Sequence, residues 1–575
     1  MRHSMPPGID GQRADLCALF AASVARHGAG PAVTGPDGTW TYTELDRWSD
    51  DIAGMLAGHG VHDGDRVAFH LERGPAIVAV LLGILKAGAA YVPIEWSFPQ
   101  ARRDEMTELS RSVALVTGGA ELRVQQIRTA EPASWPEPPA CVMFTSGSAG
   151  RPKPVVLTHQ NLIHFATNPG LPPLTPADRV GHASSISFDA SHYEIWCTLA
   201  AGAEIVILPS VASLVQSDVN RELKRHRITA MLLPTMAVNH IVRADREALA
   251  GLRILLTGGD VLQPSIAREL LSSDFTGTFY NLYGPTEATT ACTAYPVTEV
   301  TAGDVTVPIG RPLPGCSAAV LNPQGVEVAD GEVGLLHVGG PGVAWGYLDG
   351  DRFPLDPVAA DGRPRYNTGD LVRRRSDGVL EFLGRADDQV KIRGYRVEPG
   401  EVEGVLCQHP QIRDAAVVAC GTADSRHLVA LVVAYGKLNP SALRKFAAAL
   451  LPDHLLPSSF RQVSELPADG NGKRDRGRLR ELANEQWRRT SNRVAPRTET
   501  EHYVAGLWEE LLAVEGVGID DDFFALGGNS LLALSLRRRV SRDLGVDLQA
   551  LDVLATTRLS NLAALIGDRL AGTPS

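Results

Sequence analysis

Three patterns in the sequence predict an α/β protein with mostly parallel sheets, followed by two smaller parts. Up to about residue 385, β-rich runs such as "DRVAFHL", "AEIVILP" and "LRILLTGG" alternate with helix-like stretches such as "YTELDRWSDDIAGMLAGHG". Alternation of this kind favours parallel strands joined by crossover helices. From "GRADDQVKIRGYRVEPGEVE" (384–403) the segments shorten, and "DAAVVAC", "HLVALVVAY" and "SALRKFAAALL" read as a small α+β domain. Around 484–500 the stretch "NEQWRRTSNRVAPRTETE" is polar, nearly free of aliphatics and broken by Pro496, the composition of a linker. The remaining residues lack Lys and read as short amphipathic helices, "EHYVAGLWEELLAV" being the clearest. The expected parts are a large domain over 1–386, a small one over 387–484, a linker over 485–498 and a helical domain over 499–572.

Composition bounds the function. A chain of 575 residues exceeds what one core supports. A net charge of −11 gives no general basic footprint for nucleic acid. The longest strongly apolar run, "AIVAVLLGIL" (76–85), is too short to span a bilayer, and the start "MRHSMPPGID" lacks the apolar core of a signal peptide. Seven cysteines are scattered from Cys17 to Cys420 without a CxxC or Cys/His cluster, which fits reduced thiols better than disulfides or zinc. The expectation is a soluble cytoplasmic protein with no membrane and no nucleic-acid partner.

The first chemical signal is "VMFTSGSAGRPKPVVLTH" (142–159), where a β-rich run enters a turn of hydroxyls and glycines followed by Lys153. Gly147 and Gly150 remove side-chain bulk, and backbone N–H groups with the hydroxyls of Thr145, Ser146 and Ser148 donate to phosphate. It is not the Walker pattern. Alone, a flexible Ser/Gly surface turn reads the same way.

Other stretches accompany it in order: "LKAGAAYVPIE" (85–95), "SFDASHYEIW" (187–196), "NLYGPTEATT" (281–290), "GEVGLLHVGGPGVAWGYL" (331–348), "YNTGDL" (366–371), "GRADDQVKIRGYRVEPGEVE" (384–403), "LPDHLLPSSF" (451–460) and "NGKRDR" (471–476). Together they resemble the adenylate-forming superfamily, specifically the adenylation domains of nonribosomal peptide synthetases, over nearly the whole chain up to about residue 480. In that family a carboxylic acid attacks the α-phosphate of ATP, giving an acyl-adenylate and pyrophosphate. Both partners are anionic, so the protein must neutralise charge and align them.

The resemblance implies roles residue by residue. Lys473 would bridge substrate carboxylate and nucleotide. Glu287 would hold Mg2+, a hard cation that takes carboxylate and phosphate oxygens. Tyr283 would stack on adenine and Asn281 contact the base, with Gly284 and Thr286 beside them in the nucleotide set. Asp370 would accept from the ribose hydroxyls, with Arg385 as a second ribose contact. Asp387 marks the family's hinge, about which the small domain rotates between adenylation and thioester formation. Lys391 and Gly394, the latter beside the pantetheine tunnel, would face the site in the second state, and Lys473 in the first. Three positions depart from the family pattern: Pro154, where Gly is usual and where a loop N–H is lost; Trp345, where Arg is common; and Arg474, where Val is usual.

Asp189 speaks to the substrate. In amino-acid-activating relatives this carboxylate pairs with the α-ammonium, and a buried carboxylate needs such a partner. The family's pocket positions fall on Asp189, Ala190, Tyr193, Thr235, Leu256, Gly258, Leu282, Thr290, Ala291 and Lys473. Ala190, Gly258 and Ala291 leave room, Leu256 and Leu282 offer apolar walls, and Thr235, Thr290 and Tyr193 reach towards a polar tip. A medium or large α-amino acid, aromatic or hydroxylated, is the leaning; a branched aliphatic one stays open. A basic one is disfavoured.

Near the end, "DDFFALGGNSLLALSL" (521–536) resembles the modification site of a peptidyl carrier protein with four helices, Asn529 being a mild departure. Gly527 and Gly528 allow a tight turn, and Ser530 opens a helix with Leu532, Leu536 and Val540 on one face. No base stands beside Ser530, because a separate phosphopantetheinyl transferase would activate it and attach 4'-phosphopantetheine. A Gly-x-Ser-x-Gly elbow is excluded by Leu532. A short linker would keep the arm at roughly millimolar effective concentration. The expectation is an adenylation–carrier didomain in nonribosomal peptide or amino-acid-derived metabolite biosynthesis, using ATP, Mg2+ and phosphopantetheine. It would hand its cargo in trans to a condensation or tailoring enzyme, and a small accessory activator stays open. Two rivals remain: a free-standing acyl- or aryl-CoA synthetase, and a carrier scaffold whose large domain only binds nucleotide.

Overall fold

The computed structural model describes residues 15–119, 121–129, 137–147, 151–300, 306–348, 365–392, 394–421, 426–467, 474–489, 494–512, 514, 516–523, 526, 528, 530–549, 552 and 556–571. The chain divides into two compact units, Met1–Thr145 with Pro152–Asp388, and Ser146–Arg151 with Gln389–Ser575.

Among the described residues, three sheets build the first unit. In the nine-stranded sheet, Glu204–Ile207, Arg179–His182, Ala230–Pro234, Ile254–Gly258 and Thr278–Tyr283 run parallel in that order, and Thr293–Pro296 and Arg311–Pro312 close one edge antiparallel. In the seven-stranded sheet, Pro139–Thr145, Ala90–Pro93, Arg66–Leu71 and Ala114–Gly118 form the parallel centre. Lys153–Thr158 returns antiparallel beside Pro139–Thr145, and the short Gly346–Tyr347 pairs with it in turn. Every position of Arg66–Leu71 is buried, as expected of a strand covered on both faces. Its polar residues are satisfied there: Arg66 Nε donates to the Ser110 carbonyl and His70 bonds Thr107 Oγ1.

The third sheet, Ser317–Leu321, Val333–Gly339, Arg365–Arg374 and Leu380–Arg385, is wholly antiparallel, so the parallel expectation holds for the two large sheets only. The apolar run at 76–85 lies in the core helix Pro75–Lys86, buried at nearly every position. Gly83 lets it approach the helix Tyr42–Gly58, since a Cβ there would meet Ile52 Cγ2 at 2.6 Å. Among the described residues no helix is long and apolar enough to cross a membrane.

In the second unit, Ile412–Cys420 and His427–Ala434 pair antiparallel, and Ser459–Gln462 joins the latter in parallel. Alternate residues of Ile412–Cys420 face opposite ways. Ala415 and Val417 pack with Val402, Leu406 and Leu443, while Ala416 and Val418 pack with Leu479 and Ala483 of the helix Arg476–Arg489. The helical part contains Glu499–Leu512, Ser530–Leu544 and Leu559–Ala571. Its core is its own: Trp508 meets Phe523 edge-on at 5.1 Å, with Leu536, Val540, Leu562 and Ile566 around them. Of the four helices expected, these three are described; residues 550, 551 and 553–555 lie outside the described ones.

Candidate functional site

The strand Thr278–Tyr283 delivers Asn281 and Tyr283 to the C-terminal end of the parallel sheet, where α/β folds place ligands. Tyr283 is buried and its hydroxyl donates to Asp370. Burial and the neighbouring Asp370 charge push the phenol well above its usual range, so it stays a donor. Asp370 sits opposite Arg385 in the ladder between Arg365–Arg374 and Leu380–Arg385, and Arg385 Nη1 bonds Asp370 Oδ1. Arg385 also grips Asp387 through Nε at 2.6 Å and Nη2 at 2.7 Å. Four sequence-predicted residues, Tyr283, Asp370, Arg385 and Asp387, are thus one hydrogen-bonded chain. A carboxylate has about four lone-pair sites, so Asp370 keeps acceptor capacity beyond Tyr283 and Arg385. Asn281 Nδ2 donates to the Pro308 carbonyl at 2.8 Å, a pin that sequence alone does not show.

After Tyr283 the chain turns tightly. A Cβ on Gly284 would meet Ala291 Cα at 2.7 Å, so only glycine fits between the strand and the returning segment. Thr286 opens the 3-10 turn Thr286–Ala288, which buries Glu287 completely. Tyr347 Oη donates to Glu287 Oε1 at 3.1 Å. Among the described residues no three His, Cys, Asp or Glu gather into a cage. Mg2+ is commonly held by one or two carboxylates plus phosphates and water, and a buried carboxylate fits that donor set.

Thr145 ends its strand opposite Lys153. Thr145 Oγ1 is buried with no partner among the described residues. Lys153 Nζ lies 5.7 Å over the Tyr347 ring. Pro154 lies not in the loop but second in the strand Lys153–Thr158, where its carbonyl accepts from Leu348 N. Its missing N–H therefore belongs to a ladder and not to the phosphate loop, contrary to the sequence reading. Ser146 and Gly147 belong to the second unit, where Ser146 Oγ donates to the Arg396 carbonyl and Gly147 N–H to Glu401 Oε2 at 3.2 Å. Ser148 lies outside the described residues.

The substrate-pocket positions largely converge. Tyr193, Leu256, Leu282 and Ala291 share one apolar cluster, with Ala190 packed against it. The polar members are more committed than the sequence implied. Thr235 Oγ1 is fully buried and bonds the carbonyls of Gly258 and Asp260, so its single O–H is already used. Gly258 is needed for backbone clearance: a Cβ would meet the Leu282 carbonyl at 2.6 Å. Thr290 Oγ1 donates to the Asp189 carbonyl at 2.9 Å. Of the three groups expected to reach a polar tip, Tyr193 alone is buried with its hydroxyl unpartnered among the described residues.

Sequence reasoning missed His192. Its Nδ1 lies 3.0 Å from Thr290 Oγ1. The Thr290 hydrogen is spent on Asp189, so His192 Nδ1 carries the proton and donates. Burial drives the imidazole pKa down to about 3, which keeps it neutral. Thr289 and Thr290 adopt φ of 57° and 72°, a left-handed corner that β-branched residues avoid. His192 and Asp189 hold that corner through one hydroxyl. A second missed network steadies the approach to Asp189. Buried Glu194 accepts from His182 Nδ1 at 2.6 Å and from Ser184 N at 3.1 Å, while Arg73 Nη2 donates to the Ser184 carbonyl. A lone Glu inside "HYEIWC" was the available signal.

In the second unit Lys391 lies on the hairpin strand Val390–Ile392, and Gly394 turns the hairpin with φ of 81°. Lys473 lies outside the described residues. Its neighbour Arg474 is firmly placed: Nη1 bonds Glu403 at 2.8 Å and Nη2 bonds Asp414 at 2.6 Å. Ser530 begins the helix Ser530–Leu544. Gly528 N–H donates to the Phe523 carbonyl, and a Cβ there would strike the Phe523 ring at 2.3 Å. Leu536 and Val540 are fully buried and Leu532 packs beside them, as the helical spacing required. Gly527 and Asn529 lie outside the described residues.

The Tyr283–Asp370–Arg385 cluster, the buried Glu287 and the helix that Ser530 begins fit the class of AMP-binding enzymes joined to a carrier domain. The AMP-binding enzyme profile matches residues 20–348, the AMP-binding enzyme C-terminal domain 401–473 and the phosphopantetheine attachment site 502–566. The chain belongs to the AMP-binding enzyme family. It is 35% identical over 553 residues to the dimodular nonribosomal peptide synthase of Bacillus subtilis (strain 168), covering 91% of this chain and 23% of that protein. Malpibaldin synthetase of Mortierella alpina is 34% identical over 600 residues, covering 97% and 11%. The chain therefore spans only a small part of these curated relatives. A solved nonribosomal peptide synthetase protein with adenylation and PCP domains, bound to a vinylsulfonamide inhibitor, aligns at TM-score 0.78 and 27% identity over 96% of this chain and 97% of that one. ATP and phosphopantetheine are the groups these domains use.

Proposed function

We propose that this chain activates an α-amino acid as its adenylate and loads it onto its own carrier domain. One substrate carboxylate oxygen attacks the α-phosphorus of ATP, the bond to the β-phosphate oxygen breaks, and pyrophosphate leaves. The aminoacyl group then passes to the thiol of the arm borne by Ser530, releasing AMP. Tyr283, Asp370 and Arg385 would orient the nucleoside, Thr145, Ser146, Gly147, Ser148 and Lys153 the phosphates, Glu287 the metal and Asp189 the α-ammonium. Asp387 and Lys391 would serve the hinge and the second state.

The observation that carries this reading is the assembled Tyr283–Asp370–Arg385 chain in the same polypeptide as a serine-led helix inside a phosphopantetheine attachment domain. The unpartnered Tyr193 hydroxyl favours a substrate whose side chain carries a hydrogen-bonding group, because an unpaired buried hydroxyl costs about 1–3 kcal/mol. Amino-acid-dependent pyrophosphate exchange against a panel of amino acids tests the reading. Exchange with none of them, or release of aminoacyl-CoA in place of loaded protein, overturns it.

The His192 contact predicts a further result. Losing one neutral hydrogen bond costs about 1 kcal/mol, so His192→Leu is expected to raise the amino-acid KM about fivefold in exchange. The KM for ATP stays put. His192→Asn, which offers an N–H near the Nδ1 position, restores the parent KM. Equal KM values for Leu and Asn variants would show that the imidazole does not hold the Thr290 corner.

A further inference from the structure

Three segments meet at Tyr347. Its backbone belongs to the short strand Gly346–Tyr347, which pairs with Val155 and Val156 of the strand that Lys153 begins. Leu348 N donates to the Pro154 carbonyl and Trp345 N to the Val156 carbonyl. One residue earlier, Ala344 N donates to the carbonyl of Glu287 at 2.9 Å. The run 344–348 is therefore tied at one end to the turn that buries Glu287 and at the other to the strand that succeeds the phosphate loop.

The Tyr347 side chain repeats this connection. Its hydroxyl donates to Glu287 Oε1 at 3.1 Å, and the Lys153 ammonium stands 5.7 Å above its ring centroid. A donor on one oxygen fixes the rotation of a carboxylate, and an aromatic face holds an ammonium electrostatically. Backbone anchors independent of the side chain keep the segment in place: Asn161 Nδ2 donates to the Pro341 and Val343 carbonyls, and Thr289 Oγ1 to the Gly342 carbonyl.

We propose that Tyr347 is a positioning residue that couples the phosphate-loop lysine to the metal-binding carboxylate, its ring face setting Lys153 and its hydroxyl setting Glu287. This rests on the assignment of Glu287 to Mg2+ and Lys153 to the phosphates, and it adds a residue that sets both at once.

The test is ATP binding to the full chain, measured by titration calorimetry in EDTA and across a Mg2+ series. Tyr347→Phe keeps the ring and loses the O–H. Binding in EDTA is expected to match the parent, while the Mg2+ concentration giving half of the metal-dependent gain rises about tenfold, as for other partners that orient a metal ligand. Tyr347→Leu loses both contacts. It is expected to show the same Mg2+ shift and, in addition, about threefold weaker binding in EDTA. Glu287→Gln separates the two levels. If it leaves the Mg2+ gain intact, the metal assignment fails. If it abolishes the gain while Tyr347→Phe matches the parent, the coupling alone is overturned. Equal EDTA affinities for the Phe and Leu variants overturn the Lys153 half, and a Leu variant that does not fold leaves the Phe variant to decide the hydroxyl half.

Discussion

A Ser530→Ala chain is expected to keep amino-acid-dependent pyrophosphate exchange within about twofold of the parent, and to gain no pantetheine mass at all. The first expectation rests on separate cores. The helix Ser530–Leu544 contributes to a cluster made only of residues from the helical part, whereas Tyr283, Asp370 and Arg385 lie on strands of the first unit's sheets. Removing one hydroxyl at a helix start costs about 1 kcal/mol of local stability, too little to unfold a core that holds Trp508, Phe523 and Leu536. The second expectation is chemical. Without the oxygen, no phosphodiester to pantetheine forms, and no thiol is present to receive the aminoacyl group. Intact-mass measurement after treatment with a pantetheinyl transferase, ATP and the amino acid reads both additions. A pantetheine increment on the Ala variant would move the attachment point elsewhere. Loss of exchange in that variant would mean that adenylation depends on the carrier.

The sequence revealed types of residue more readily than their commitments. The parallel centres of the two large sheets were legible because strands such as Ile254–Gly258 are short, continuous apolar runs bounded by turns. The antiparallel sheet of Ser317–Leu321, Val333–Gly339, Arg365–Arg374 and Leu380–Arg385 was not: its strands mix polar and apolar residues, and Val333 is more than half exposed. The residues proposed for the nucleotide could be singled out because their motifs occur in order, and the structure joins four of the predicted residues, Tyr283, Asp370, Arg385 and Asp387, directly. Hydroxyl partners were not legible. Thr235 spends its proton on carbonyls 23 and 25 residues away, and Thr290 on one 101 residues away. Those distances close only once the register Pro234–Gly258–Leu282 is set. Gly258 looked like pocket room for the same reason, and His192 was invisible because its partner is Thr290.

Arg474 shows a departure from the family pattern acquiring a local reason. Its guanidinium joins Glu403 and Asp414, and Arg476 Nη1 reaches the other Glu403 oxygen at 2.7 Å and the Val417 carbonyl at 2.9 Å. Glu403 also accepts from Val417 N, so one half-buried carboxylate fastens the chain beyond residue 473 to the small sheet.

That fastening sharpens the second large expectation, for Lys473→Ala. The reaction brings a carboxylate to a triphosphate, so charge builds where two anions meet, and a fixed ammonium there is worth roughly 10²–10³ in rate by analogy with oxyanion donors. Because Arg474 and Arg476 hold the adjoining backbone through their own side chains, truncating Lys473 leaves their anchors in place. The loss should therefore appear in kcat for exchange, by roughly 10²–10³, with ATP affinity and thermal midpoint near the parent values. Transfer from a supplied aminoacyl-adenylate to the pantetheine thiol should survive, since the bond to pyrophosphate is already broken in that substrate. The Lys473 and Ser530 variants then fail in opposite halves of the reaction, one unable to make the anhydride and the other unable to take it up. Exchange retained to within a few-fold in Lys473→Ala, or transfer lost together with exchange, would remove the lysine from the adenylating step.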